Sequence, residues 1–204
     1  TLLSEPILCT SHTEAEMYGL TDSFAMIRLT DHRVIINLEL VCRYKLNDFA
    51  VEIFSHEIGH HVFAPANLYD HARLLARARA ALPGVETMAA MVTNLYTDLL
   101  INTRLQRTKE LRIASVYKKI MTDNPSKLWI LYMRTYEILW GVERGKLSGK
   151  REIPDELEGD AFICSQLIQS FSGSWLEGIG RYCILCYPYL SEDILAQERT
   201  VVFG

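Results

Sequence analysis

The chain has 204 residues, 49% of them hydrophobic and 23% charged, which is ordinary globular composition with enough apolar material for one sizeable core. A net charge of −4 gives the surface as a whole no attraction for nucleic acid or anionic lipid. No stretch reaches the ~18 uninterrupted apolar residues of a membrane span, and the first residues lack the basic-then-apolar pattern of a secretory signal. The five cysteines (Cys9, Cys42, Cys164, Cys183, Cys186) are odd in number and mostly in apolar context, which suits packed free thiols in a reducing cytoplasm. Cys183 and Cys186 are spaced C-x-x-C, but without a second pair or a nearby His they read as packed thiols too.

In chain order, residues 1–23 are polar and weakly patterned, an arm or irregular cover. The chain opens on Thr1 without Met, as would a domain cut from a longer protein. Phe24–Leu29 and Val34–Leu40 are β-prone runs around Thr30-Asp31-His32-Arg33, with Asn37 and Glu39 alternating with apolar neighbours. Residues 24–41 are therefore expected to form a β-hairpin with one wet face. Such an edge could take up an extended peptide through main-chain hydrogen bonds.

Residues 47–63 are expected to be one helix, opened by the N-cap signature Asn47-Asp48 and stopped by Ala64-Pro65. Within it lies His56-Glu57-Ile58-Gly59-His60, an H-E-x-x-H motif. Residues four apart share a helix face, so His56 and His60 can aim two imidazole nitrogens at one point, as two zinc ligands do. Glu57, one residue on, flanks that point and could move a proton on and off a water there. A buried amphipathic helix with satisfied histidines is the bland alternative. His61 points about 100° away from His60 and is not expected at the same metal.

The rest of the chain, residues 68–197, reads as a helical body: Leu68–Leu82, Glu86–Arg107, Glu110–Met121, Lys127–Trp140, Asp155–Phe171 and Trp175–Leu195. Residues 141–154 look like a mobile polar loop, and without a repeat or convincing boundary residues 1–204 read as one domain. Between Asp70 and Lys119, nine Lys/Arg accompany four Asp/Glu. This basic flank (Arg73, Arg77, Arg79, Arg104, Arg107, Arg112) is either a solvated helix face or a dock for an acidic partner.

A catalytic zinc takes three protein ligands and a water, and two segments compete for the third. Asn94, Asp98 and Asn102 fall at i, i+4 and i+8 on a helix otherwise rich in Leu, Ile and Tyr. A carboxylate there is costly unless a cation pairs with it, with the amides orienting it. Glu156 and Asp160 share a face at the start of the next-to-last helix, where Glu156 could ligate and Asp160 could buttress a histidine. Plain acidic enrichment in a first helical turn is the competing account. His71, Tyr96 and Tyr132 are weaker candidates for stabilising an oxyanion.

With these residues on hand, His56-Glu57-Ile58-Gly59-His60 resembles the zincin metallopeptidases. Taken with Asn94-Leu95-Tyr96-Thr97-Asp98-Leu99-Leu100-Ile101-Asn102, Asp70–Arg77 and Glu158-Gly159-Asp160-Ala161, residues 50–190 resemble the predicted bacterial metallopeptidases found beside MoxR-type AAA ATPases and von Willebrand factor A-domain proteins. The resemblance implies a cytoplasmic zinc peptidase within a defence-related or regulatory system, with a protein or peptide substrate and those two proteins as partners. Separately, Glu156 to Phe162 is similar to the E-x-x-x-D segment of HtpX-type and CAAX-prenyl proteases, where the Glu completes the zinc site, although this chain lacks their membrane spans.

The expected fold is α+β and mainly helical, zincin-like, with the small N-terminal hairpin packed on the H-E-x-x-H helix. The expected chemistry is hydrolysis of an amide bond at a Zn²⁺ held by His56, His60 and Asp98, with Glu57 as general base. Glu156 is the alternative third ligand to Asp98. Asn94, Asn102 and Asp160 are expected to support the ligands. A rival of a different class is a non-catalytic helical module docking a partner ATPase through the basic flank, with a structural metal or none.

Overall fold

The computed structural model describes residues 4–20, 23–108, 110–121, 125–149 and 152–196, with side chains described as far as residue 190. Its architecture is mainly α-helical α+β, with one small sheet. Strands Ile7–Cys9 (β1), Ala25–Arg28 (β2) and Arg33–Asn37 (β3) make a three-stranded sheet in the order β1-β3-β2. β2 and β3 form an antiparallel hairpin with Ala25 opposite Ile36 and Arg28 opposite Arg33, while β1 runs parallel to β3 with Ile7 opposite Ile35.

The first residues are thus more than irregular cover. The central strand β3 is apolar on both faces: Val34 and Ile36 join the main core, whereas Ile35 points the other way to Cys9, Ala15 and Leu20. A continuous apolar run buried on both sides needs a lid on each, and the short helix His12–Met17 (α1) supplies Ala15 to the second side. The hairpin also ends earlier than residue 41. Asn37 turns its side chain onto the Leu40 N–H at 3.1 Å and caps helix Leu38–Arg43 (α2). Asn is a strong helix-capping residue, and that local bond outweighs the strand-like alternation of Asn37 and Glu39.

Asn47-Asp48 does not cap the next helix either: Asn47–Phe49 is a 3₁₀ turn leading into Ala50–Val62 (α3), without a side-chain cap bond. Beyond Pro65, Asn67 accepts from the Asp70 N–H at 2.9 Å and opens Leu68–Ala81 (α4). There follow Ala89–Gln106 (α5, entered by a 3₁₀ turn), Ile113–Lys119 (α6) and Lys127–Trp140 (α7). Asp155–Ser170 (α8) and Trp175–Ala196 (α9) complete the described elements. Ser126 caps α7 through the Trp129 N–H, and Gly141 ends it in the left-handed region (φ 64°) that glycine adopts without penalty. Among the described residues no helix is long and apolar enough to cross a membrane.

Helix α5 is the hub, packing against α3, α4, α6, α7 and α9. Leu95 through Thr103 are all buried, as a helix surrounded on every side must be. Its approach to α3 depends on Gly59, where a Cβ would overlap Cγ2 of the fully buried Ile101. This brings the H-E-x-x-H helix and the Asp98 helix into direct apposition.

The loop after α7 is held rather than mobile over its described part. The buried Glu137 carboxylate accepts from the Leu147 N–H (2.7 Å), the Ser148 N–H (2.9 Å) and the Ser148 hydroxyl (3.0 Å), while Arg134 bridges Glu137 and Glu158. Residues 150 and 151 of that loop lie outside the described residues, as does residue 197 at the end of the expected helical body. Three arginines of the basic flank also bond within the fold, Arg77 to the Leu176 carbonyl, Arg104 to the Ser172 carbonyl and Arg112 to Glu52, while Arg73, Arg77, Arg79, Arg104, Arg107 and Arg112 all remain exposed.

Gly59→Ala measures the α3–α5 approach. Helix propensity alone favours Ala by about 1 kcal/mol, whereas overpacking a filled core costs about 1–3 kcal/mol. Urea unfolding should therefore show net destabilisation, smaller in an Ile101→Ala background. Net stabilisation by Gly59→Ala would contradict the close packing.

Candidate metal centre

Each site residue comes from one of the two apposed helices: His56, Glu57 and His60 from α3, Asp98 and Asn102 from α5. The i, i+4 spacing brings His56 Nε2 within 3.2 Å of His60 Nε2, and Asp98 Oδ1 lies 3.5 and 3.4 Å from those two nitrogens. All three ligand-type atoms lie within 4.8 Å of one another, and this buried group could hold a metal ion. His56 is 1% exposed, His60 6%, Asp98 0% and Glu57 0%, so bulk water does not compensate their charges.

Two observations test whether a cation fits. Asp98 Oδ1 is buried without a hydrogen-bond partner, an arrangement that costs an anion several kcal/mol unless a positive charge offsets it, and both Glu57 carboxyl oxygens are buried and unpartnered beside it. The donor set, two imidazole nitrogens and one carboxylate oxygen, suits a divalent transition ion with a further position left for water or substrate. The residues fit.

The titration behaviour follows from burial. Burial pushes the Glu57 carboxyl up to about 8, with Asp98 adding to the rise; the Ile27 backbone opposes it without reaching hydrogen-bonding geometry. Burial drives the His56 imidazole down to about 4, against the pull of Asp98. For His60 burial also works downward, but the adjoining Asp98 outweighs it and the net shift is upward. A divalent cation between these groups would invert the balance, stabilising carboxylate and neutral imidazole together.

Behind the ligands lies a polar layer. His56 Nδ1 is 2.8 Å from Asn102 Oδ1, and the Asn102 amide donates to the hydroxyls of Tyr117 (2.9 Å) and Tyr136 (2.8 Å). Those phenols and Tyr132, all buried, form a hydroxyl triangle, and Tyr132 reaches Asp98 Oδ2 at 3.5 Å. Burial raises the pKa of each phenol, so all three stay protonated. Asn102 was legible as a ligand support from its i+4 spacing; Tyr117 and Tyr136 were not singled out. The available signal was Tyr132 and Tyr136, two phenols four residues apart on the apolar helix α7.

The other expected residues sort clearly. Glu156 is exposed in the first turn of α8, outside the ligating group, where an acidic side chain suits the helix dipole. Asp160 accepts from the Tyr189 hydroxyl at 2.7 Å and ties α8 to α9 instead of buttressing a histidine. Asn94 lines a small cavity of about 100 Å³ beside His60, walled also by Ile27, Leu29, His71 and Thr97. His71, which burial keeps largely neutral, is thus near the site, whereas Tyr96 donates to the Trp175 carbonyl. His61 turns to the His32 ring (3.9 Å between centroids) and the Ala66 carbonyl.

Comparison with protein-family models, with curated proteins by sequence and with solved structures by fold gives no match.

Metal uptake should reveal itself in protons. With His56 Nδ1–H donated to Asn102, the 3.2 Å imidazole contact needs a proton on His60 Nε2, which a cation would displace; the Glu57 carboxyl, at about 8, also holds its proton at pH 7. Zn²⁺ binding at pH 7 should therefore release on the order of 1–2 protons and tighten as pH rises from 6 to 8. Calorimetry in buffers of different ionisation enthalpy reads this directly. Binding independent of buffer and pH, or undiminished in His60→Ala, would refute the site.

Proposed function

We propose that the chain is a zinc-dependent metallopeptidase that hydrolyses peptide bonds, with His56, His60 and Asp98 as the metal ligands and Glu57 as general base. The observation that carries this reading is the buried His56–His60–Asp98 triangle with an unpaired carboxylate, Glu57, next to it on the same helix turn. A bound Zn²⁺ supplies a Lewis acid for the scissile carbonyl and lowers the pKa of a water at the open position toward ~7.

The protein's own groups do the rest. Glu57, with no hydrogen bond to break, takes the proton of the attacking water and passes it to the departing nitrogen. Asn102 keeps His56 oriented through Nδ1. β2 is an outer strand of the sheet, and its residue Ile27, together with Leu29 just beyond it, lines the cavity beside His60. An extended peptide lying along β2 would set one residue at that cavity, whose volume of about 100 Å³ and lining without a carboxylate, lysine or arginine favour a small uncharged side chain. The resemblance of residues 50–190 is what suggests a cytoplasmic setting beside a MoxR-type AAA ATPase and a von Willebrand factor A-domain protein. Of the basic flank on which the rival docking module rests, Arg77, Arg104 and Arg112 bond within the fold while remaining exposed.

Glu57→Gln separates binding from chemistry. The variant should keep one equivalent of zinc while its cleavage of a library of small-residue peptides falls by about 10²–10⁴. Turnover equal to that of the unsubstituted chain would refute the assignment.

A further inference from the structure

We infer that Tyr117, Tyr132 and Tyr136, acting with Asn102, are positioning residues of the metal centre, joined in a one-way hydrogen-bond relay from the back of His56 to the back of Asp98. The inference rests on the metal-binding part of the reading above and goes beyond it, since it assigns work to three phenols that touch no substrate.

Proton counting gives the direction. A carboxylate only accepts, so the contact between Tyr132 and Asp98 Oδ2, long at 3.5 Å, spends the Tyr132 proton. With the Tyr132 proton assigned to Asp98, Tyr117 and Tyr136 become the donors in their contacts with Tyr132 (3.0 and 2.8 Å). No proton is left for the Tyr117–Tyr136 pair, which is the longest side of the triangle at 3.3 Å. Both phenol oxygens in turn accept from the two N–H bonds of the Asn102 amide. That fixes the amide's orientation, so Asn102 Oδ1 faces His56 and accepts its Nδ1–H at 2.8 Å.

The outcome is two constraints on the ligands. His56 carries its proton on Nδ1, which leaves the Nε2 lone pair for a cation, and Asp98 has Oδ2 engaged behind while Oδ1 faces the imidazoles. Phenylalanine would fill the same volume without burying three hydroxyls, so packing alone does not account for the tyrosines. The relay also branches: Tyr117 and Tyr136 are parallel routes, whereas Tyr132 is the single link to Asp98.

Co²⁺ binding to the full chain tests the branching. Competition with a chromophoric chelator should show affinity about 10-fold or more weaker in Tyr132→Phe, with a changed visible Co²⁺ spectrum. Tyr117→Phe and Tyr136→Phe should each lose less, and the Tyr117→Phe/Tyr136→Phe double variant more than either single one. Metal-free unfolding midpoints, measured in parallel, check that every variant is folded. Equal Co²⁺ affinity and spectra in the unsubstituted chain and all variants would overturn the relay and leave the peptidase reading standing. The expected ranking in a chain that cleaves no peptide would uphold the relay and overturn only the hydrolase. No Co²⁺ uptake by the unsubstituted chain would overturn both.

Discussion

A carboxylate in the middle of a fully buried stretch of helix constrains everything around it. Asp98 sits on α5 with no exposure, between Leu95–Thr97 and Leu99–Ile101, all of them buried. An ion taken out of water carries a penalty of several kcal/mol that neighbouring groups must offset. Here the neighbours are two imidazoles on one side and a phenol on the other. The helices that supply them, α3 and α7, are both packed on α5.

That placement also explains the packing of α3. For His56 and His60 to reach Asp98, α3 and α5 must approach closely, and Gly59 within the motif removes the side chain that would hold them apart. The remainder of the fold keeps the two helices together. Glu52, buried in the first turn of α3, takes the backbone N–H and the guanidinium of Arg112 just before α6. The β2–β3 hairpin packs on the outer side of α3 and brings Ile27 to the edge of the His60 cavity.

Buried charge likewise decides the loop after α7. Glu137 has no exposure and three donors from Leu147 and Ser148, so a Gly-containing segment that looks mobile from its composition is tied to the core. Asp160, expected to buttress a histidine, accepts from Tyr189 instead. In each case a long-range hydrogen bond, invisible to local pattern, took precedence over the local expectation.

The sequence by itself determined the helices of the body, because apolar periodicity and a cap such as Ser126 are local physics. It also determined which face of α3 carries both imidazoles, and it marked Asp98 and Asn102 as costly polar residues on an apolar helix. Tertiary structure alone decided that Asp98 meets the histidines and Glu156 does not, that Asn37 ends the hairpin, that the first residues add a strand to β3, and that three tyrosines stand behind the ligands. The reason is physical: spacing along a helix sets which side chains share a face, but only packing chooses which faces meet, and a buried polar group settles wherever a partner from a distant segment can satisfy it.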